Sequence, residues 1–354
     1  MGRALQLAEL ARGHTSPNPL VGAVLVKEGR IVGEGYHAQA GAPHAEVMAL
    51  EAAGTAAQGA TLYVSLEPCN HQGRTPPCTP LIWERGVSRV VAATRDPNPI
   101  AQGGLDYLAA HGVEVATGLL AQEAREQNCL FFHGLEQKRP FVLWKAGLSA
   151  DGQISSVPGQ RSQITSQEAQ RLAHAYRQAL GSVAVGIGTV LADDPALTVR
   201  KPDYRGFPWL LWPPPSRDPL KVIFDRQART PLNARVLEGK TLIFCAETAP
   251  RARRAALQER GAEVVALAEV EPGQVLAELW ARGIDGVLLE GGANLAASFL
   301  EQDLVDALAF FVAPRLFGLR QPALAKGLEA VRKIAWQEPE LIGPDLWLRG
   351  RVVR

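Results

Sequence analysis

The chain reads P-H-A-E at Pro43–Glu46, S-L-E-P-C at Ser65–Cys69 and P-P-C-T at Pro76–Thr79. His44, Cys69 and Cys78 offer one imidazole and two thiols, three of the four donors of a tetrahedral zinc site. A catalytic zinc leaves the fourth position to water. Glu46 follows the histidine by two residues, an acid that no structural zinc site requires. Around these residues, Thr61–Ser65 reads as a short buried strand that delivers Cys69 at its end. A-E-V-M-A-L-E-A-A, after His44, reads as a helix stopping at Gly54. Thr79-Pro80 reads as an N-cap and first-turn pair, which puts Cys78 at the mouth of a second helix. Residues two apart on a helix do not share a face, so His44 and Glu46 converge only if His44 stands at the helix opening. A helix N-terminus also favours the negative charge that thiolates and a carboxylate bring there.

His-x-Glu followed by Pro-Cys is the pattern of zinc-dependent base deaminases, in which the glutamate carries protons and does not bind the metal. Those enzymes space their cysteines two apart. Here the spacing is C-x8-C, with the loop Asn70–Pro77 inserted. His71 in that loop is a candidate fourth donor, which would make the site structural. Beside Gly73, Arg74 and Thr75, the loop reads better as a grip on a substrate phosphate, a contact that suits Arg74. Asn18, held extended between two prolines, can both donate and accept hydrogen bonds, as recognition of a pyrimidine edge requires.

Outward from this centre, helix Ala4–Arg12, the hairpin Val21–Val26/Arg30–Tyr36, strand Arg89–Thr94, helix Gly104–His111, strand Val113–Thr117 and helix Ala121–Phe131 complete an α/β alternation around one sheet. Lys138-Arg139-Pro140 reads as a hinge, giving domains at residues 1–139 and 140–354. A chain of 354 residues exceeds one ordinary core. In the second half, Pro140–Leu148 reads as a strand, Thr165-Ser166-Gln167-Glu168 as a capping box opening a helix to Leu180, and Ser182–Ile187 as a strand before the turn L-A-D-D-P. Alternating strands and helices then end in antiparallel strands near Leu304–Val312, Ala335–Trp336 and Leu346–Val353. V-L-L-E-G-G-A-N at Val287–Asn294 is a buried strand entering a Gly-Gly turn and a helix, where backbone N–H groups face an approaching anion. No early G-x-G-x-x-G follows a strand, which argues against a Rossmann domain.

A net charge of +1 speaks against nucleic acid or membrane surfaces as partners. No bilayer-length apolar run or signal peptide is visible, so a cytoplasmic protein is expected. Four cysteines are too few for a disulfide scaffold; Cys129 and Cys245 read as buried thiols. His14, His111, His133 and His174 read as structural.

E-P-C-N-H-Q-G-R-T-P-P-C (Glu67–Cys78), T-S-P-N-P-L-V-G (Thr15–Gly22), G-E-G-Y-H (Gly33–His37) and L-A-D-D-P-A-L-T-V-R (Leu191–Arg200) resemble the bifunctional deaminase–reductases of riboflavin biosynthesis over nearly the whole chain. The resemblance implies a cytidine-deaminase-like α/β/α domain followed by a dihydrofolate-reductase-like α/β domain. It implies one zinc per chain on His44, Cys69 and Cys78, with Glu46 catalytic and Asn18, His37, His71 and Arg74 on the substrate. It implies NADPH on Thr189, Asp193, Gly291, Gly292, Ala293, Asn294, Leu295, Ala296, Ala297 and Ser298. The reduced substrate would meet Lys145, Arg161, Arg177, Leu197, Arg200 and Glu290. The expected reaction is zinc-hydroxide removal of the 2-amino group of a phosphoribosylated diaminopyrimidinone, then reduction of its ribosyl group to ribityl. Arg161 and Gln163 replace a serine and a tryptophan common in that family, and the insertion Trp209–Pro219 is proline-rich. Arg226 and Arg251 are candidates for selecting NADPH over NADH. A homodimer or higher homo-oligomer is expected. The rival readings are a deaminase of cytidine or tRNA adenosine, a zinc-stapled scaffold that only binds ligand, and a live deaminase joined to a degenerate reductase.

Overall fold

The structure, a computed structural model, describes residues 1–73, 75–155, 162–204, 218–318 and 332–353. Arg74, Arg161 and most of the Trp209–Pro219 insertion lie outside the described residues. The chain divides into two compact units, Met1–Lys138 belonging to the first and Arg139–Asp203 with Ser216–Arg354 to the second.

In the first unit the elements run α1 (Gly2–Glu9), β1 (Gly22–Lys27), β2 (Arg30–Tyr36), α2 (Ala45–Ala53), β3 (Thr61–Val64), α3 (Cys78–Glu84), β4 (Arg89–Ala92), α4 (Gly104–Ala110), β5 (Glu114–Thr117), α5 (Ala121–Gln127) and α6 (Cys129–Gln137). The sheet order is β2-β1-β3-β4-β5. The hairpin and the β1/β3 pair are antiparallel, and β3, β4 and β5 are parallel. Successive strand residues face opposite sides, and β1 shows it. Ala23 and Leu25 pack with Leu50, Ile82 and Leu105 from α2, α3 and α4, whereas Val24 packs with Ala4 and Leu7 from α1. The result is helix, sheet, helix. Gly33 on β2 lets α2 approach: a Cβ there would stand 2.2 Å from the Ala49 carbonyl oxygen.

The expected helix Ala121–Phe131 is two helices, broken at Asn128. That side chain accepts from the Leu20 N–H and donates to the Leu20 carbonyl (2.7 and 2.9 Å), so it pairs with a distant backbone and the helix turns there. Thr79 is not a cap. Pro77 holds that position, Cys78 begins α3, and Thr79 donates its hydroxyl to Asn70 instead (2.6 Å).

The second unit contains β6 (Phe141–Ser149), α7 (Gln167–Leu180), β7 (Ser182–Gly186), α8 (Ile187–Asp193), β8 (Leu220–Phe224), β9 (Thr241–Ala246), α9 (Arg251–Glu259), β10 (Glu263–Leu267), α10 (Pro272–Ala281), β11 (Gly286–Leu289), α11 (Ala293–Glu301), β12 (Ala307–Ala313), β13 (Lys333–Trp336), β14 (Glu340–Ile342) and β15 (Asp345–Val353). The sheet order is β10-β9-β8-β7-β11-β6-β12-β15-β13, with β14 on β15. β10 through β12 are parallel, and β15 returns antiparallel. α7 is capped by Ser166, whose hydroxyl accepts from the Ala169 N–H, and ends at Gly181 in the left-handed region. Cys245 is fully buried as expected, but Cys129 is only half-buried, at the first turn of α6. No described helix is long and apolar enough to cross a membrane.

Candidate active sites

His44 is the N-cap of α2 with extended backbone (φ −72°, ψ 160°), and Glu46 lies in the first turn. That break from helical geometry is what lets residues two apart meet at one place. The strand-end loop supplies Cys69, and α3 supplies Cys78, whose N–H donates to the Cys69 carbonyl (3.1 Å). Both sulfurs face His44 Nδ1, at 3.4 and 3.3 Å, and the three donor atoms lie within 4.8 Å of one another. Among the described residues no fourth His, Cys, Asp or Glu joins them, and His71 stands outside the group. One nitrogen and two sulfurs fit zinc, with one position left over.

Glu46 is 3% exposed and hydrogen-bonds with Cys78. Burial, reinforced by the Cys69 charge, raises its carboxyl to about 7. A hydrogen bond from Cys78 works against burial to hold the Cys69 thiol at about 4, with His44 assisting. Thr75, read in the sequence as part of a loop that grips substrate, stands beside a metal-ligating residue instead. Its hydroxyl is 3.2 Å from His44 Nε2, the ring nitrogen facing away from the sulfurs, so it fixes the ring's orientation. Glu67 of S-L-E-P-C accepts from the Asp96 and Leu105 N–H groups (both 3.0 Å), tying the Cys69 loop to α4.

His37 lies edge-on to His44, with ring centroids 5.4 Å apart. A carbonyl only accepts, so His37 Nδ1 donates to the Pro43 oxygen (3.1 Å), and its Nε2 accepts from Asn18 Nδ2 (3.0 Å). Burial lowers the His37 pKa, which keeps the ring neutral. This pair orients the Asn18 amide. His71 lies in the Asn70–Pro77 loop, its Nδ1 buried without a partner among the described residues.

In the second unit the C-terminal ends of β6, β7 and β11 open into a cavity of about 380 Å³. Open α/β sheets bind ligands at such strand ends. Lys145 comes from β6, Arg177 from α7, Thr189 and Asp193 from α8, Leu197 and Arg200 from the following turn, and Glu290, Gly291, Gly292 and Ala293 from the β11–α11 junction. Asn294, Leu295 and Ser298 follow along α11, whereas Ala296 and Ala297 are buried among its packing contacts.

Arg177 grips Glu290 with two hydrogen bonds (2.7 and 2.9 Å) and donates a third to the Thr198 carbonyl (2.8 Å). Lys145 Nζ is 3.7 Å from the same carboxylate. Burial opposes the Glu290 charge, but Arg177 and Lys145 outweigh it and hold the pKa at about 2. His174, expected to be merely structural, also lines this cavity. Its Nδ1 accepts from the Arg200 N–H at 2.6 Å. Burial, then Arg177 and Arg200, lower it to about 4, so the ring is a neutral acceptor. His174 precedes Arg177 by three residues on one helix face, and that spacing was the signal in the sequence. Gln163 lines the cavity as well. Arg226 pairs with Glu271 (3.2 Å) beyond the end of β8.

Residues 1–94 match the family model described as the cytidine and deoxycytidylate deaminase zinc-binding region, and residues 140–348 match the RibD C-terminal domain. The chain is 40% identical to the riboflavin biosynthesis protein RibD of Aquifex aeolicus, covering 98% of this chain and 96% of that one. It is 38% identical to RibD of Escherichia coli, covering 98% and 97%. Among solved structures, Acinetobacter baumannii RibD superposes with a TM-score of 0.88 at 34% identity, covering 99% and 97%. The diaminohydroxyphosphoribosylaminopyrimidine deaminase/5-amino-6-(5-phosphoribosylamino)uracil reductase of Thermotoga maritima gives 0.86 at 36%, with the same coverage. The two matched regions imply zinc and NADPH as cofactors. With a metal-ready histidine–dicysteine trio in one unit and a charged strand-end cavity in the other, the chain belongs to the RibD family of bifunctional deaminase–reductases in riboflavin biosynthesis.

Proposed function

We propose that residues 1–139 remove the 2-amino group of 2,5-diamino-6-(5-phosphoribosylamino)pyrimidin-4-one, and that residues 140–354 reduce the ribosyl group of the resulting aminouracil to ribityl. The observation that carries the first step is the convergence of Glu46 on the trio His44, Cys69 and Cys78. When bound, zinc lowers the pKa of a water from about 15.7 to roughly 7 and so supplies the nucleophile at neutral pH. Glu46 accepts the proton released there and delivers it to the ring nitrogen, then takes the second proton from the newly attached hydroxyl and passes it to the departing amine. A C–O bond forms at the amidine carbon, the C–N bond breaks, and ammonia leaves. Asn18, steered by His37, holds the pyrimidine edge, and the His71–Arg74 loop holds the outer part of the substrate.

In the second step Thr189, Asp193 and the Gly291–Ser298 segment would hold NADPH, which when bound would supply a hydride to the sugar's first carbon. The sugar ring oxygen released at that carbon needs a proton, and Lys145 is the ammonium available beside it. Glu290 stays ionised through Arg177 and Lys145 and is placed to hold the substrate, with Leu197 and Arg200 lining the same cavity. Hydride transfer depends mainly on positioning, which fits a cavity rich in fixed charges. A metal analysis paired with a two-step turnover assay tests the reading. One zinc per chain, ammonia release, and loss of NADPH absorbance are expected. A sample whose metal is held by four protein donors, with no ammonia release, overturns it. We further propose a cytoplasmic homodimer or higher homo-oligomer, which sedimentation of the purified protein and cell fractionation check.

A further inference from the structure

The reductase substrate carries one phosphate monoester, with a charge of about −1.5 to −2 at neutral pH. A dianion of that kind calls for more than one cation. The cavity contains four described basic side chains: Lys145, Arg177, Arg200 and Arg235. Two of them are already engaged. Arg177 spends its guanidinium on Glu290 and on the Thr198 carbonyl, and Lys145 faces Glu290. Arg200 is held through its backbone by His174, and Arg235 through its backbone N–H, which donates to Asp194 Oδ1 (2.8 Å). Neither Arg200 nor Arg235 has a side-chain hydrogen bond or ion pair with a described residue.

We propose that Arg235 is a further substrate-binding residue of the reductase cavity, closing together with Arg200 on the phosphate monoester of the sugar. Asp194 is the link. It follows α8 and opens the turn that carries Leu197 and Arg200, so the bond to Arg235 fastens a second segment, the 3-10 turn Arg235–Leu237, to that turn. Both guanidinium groups are then presented from anchored backbones at the exposed mouth of the cavity. Nothing in the L-A-D-D-P-A-L-T-V-R stretch pointed to this residue, because it lies more than thirty positions downstream of that stretch.

This inference rests on the reductase reading above. The test uses the full zinc-loaded chain and compares the unaltered protein with Arg235→Gln and Arg235→Lys. Ribose 5-phosphate binding is followed by calorimetry, NADPH binding by fluorescence, and reduction of the deaminated substrate by absorbance. For Arg235→Gln we expect ribose 5-phosphate affinity to fall, and substrate KM to rise, by about 10-fold with kcat nearly kept, the size expected for one charge-assisted contact at a solvent-facing rim. Arg235→Lys should recover part of the loss. NADPH affinity and ammonia release should not change. Unaltered ribose 5-phosphate affinity in Arg235→Gln overturns the proposal, and so does a loss confined to NADPH. An unaltered protein that binds ribose 5-phosphate yet oxidises no NADPH would instead count against the reductase reading.

Discussion

At the residue scale, three side chains carry separate, testable loads. Glu46→Gln keeps the shape and the zinc ligands but cannot carry the proton. Ammonia release should fall by about 100- to 10,000-fold while zinc content stays at one per chain; full-speed ammonia release would remove the assignment. Thr75→Val leaves all three ligands and deletes only the hydroxyl beside His44 Nε2. Zinc affinity, measured by competition with a chelator, should drop by about 10- to 100-fold. His174 predicts a pH dependence. Its folded pKa of about 4 lies below the ordinary value of 6.5, so the unfolded chain takes up a proton between those values and the folded chain does not. The stability tied to its neutral form is therefore complete above pH 6.5 and is lost as pH falls toward 4, by about 3 kcal/mol at most. Glu290, held at about 2, loses its contribution only at lower pH. Between pH 7 and pH 5, the change in urea-unfolding stability should be less favourable to the folded state in the unaltered protein than in His174→Asn, which keeps an acceptor but does not titrate.

At the element scale, the active-site histidine depends on how closely α2 lies on β2. A side chain at Gly33 would collide with the backbone of Ala49, which cannot move without shifting the helix that carries His44 and Glu46. Gly33→Val should destabilise the first unit by about 3 kcal/mol, the upper range for overpacking, and weaken zinc binding with it; an unchanged unfolding midpoint would contradict this packing argument. Much of the architecture was legible beforehand because it is local. The hairpin across Glu28-Gly29, the strand before Cys69 and the helix from Ser166 to Gly181 each announce themselves by alternation, a turn or a cap. His44 at a helix opening followed from the two-residue spacing to Glu46 alone. What was not legible depends on partners distant in sequence. The helix break at Asn128 exists because its side chain pairs with Leu20, and Thr79 loses its capping role because Asn70 is within reach. His174 looked like an isolated histidine until Arg200 was folded against it.

At the scale of the whole molecule, the metal trio and the charged cavity belong to different compact units, each with its own buried core. The first core includes Cys69 and Cys78 themselves, whereas the second is built from β6, β7, β8, β9, β11 and β12 without any metal-ligating residue. Removing zinc therefore deprives only the first unit of a bound ligand, and ligand loss lowers stability only where the ligand was held. Chelation of the full chain should abolish ammonia release from the diaminopyrimidinone while leaving NADPH oxidation intact when deaminated substrate is supplied. Glu290→Gln should do the reverse, sparing ammonia release and zinc content but releasing Arg177 and Lys145 from their shared carboxylate. The two treatments together separate the reactions within one polypeptide. If chelation stopped both reactions at once, the second core would depend on the metal after all, and the assignment of independent chemistry to the two units would have to be withdrawn.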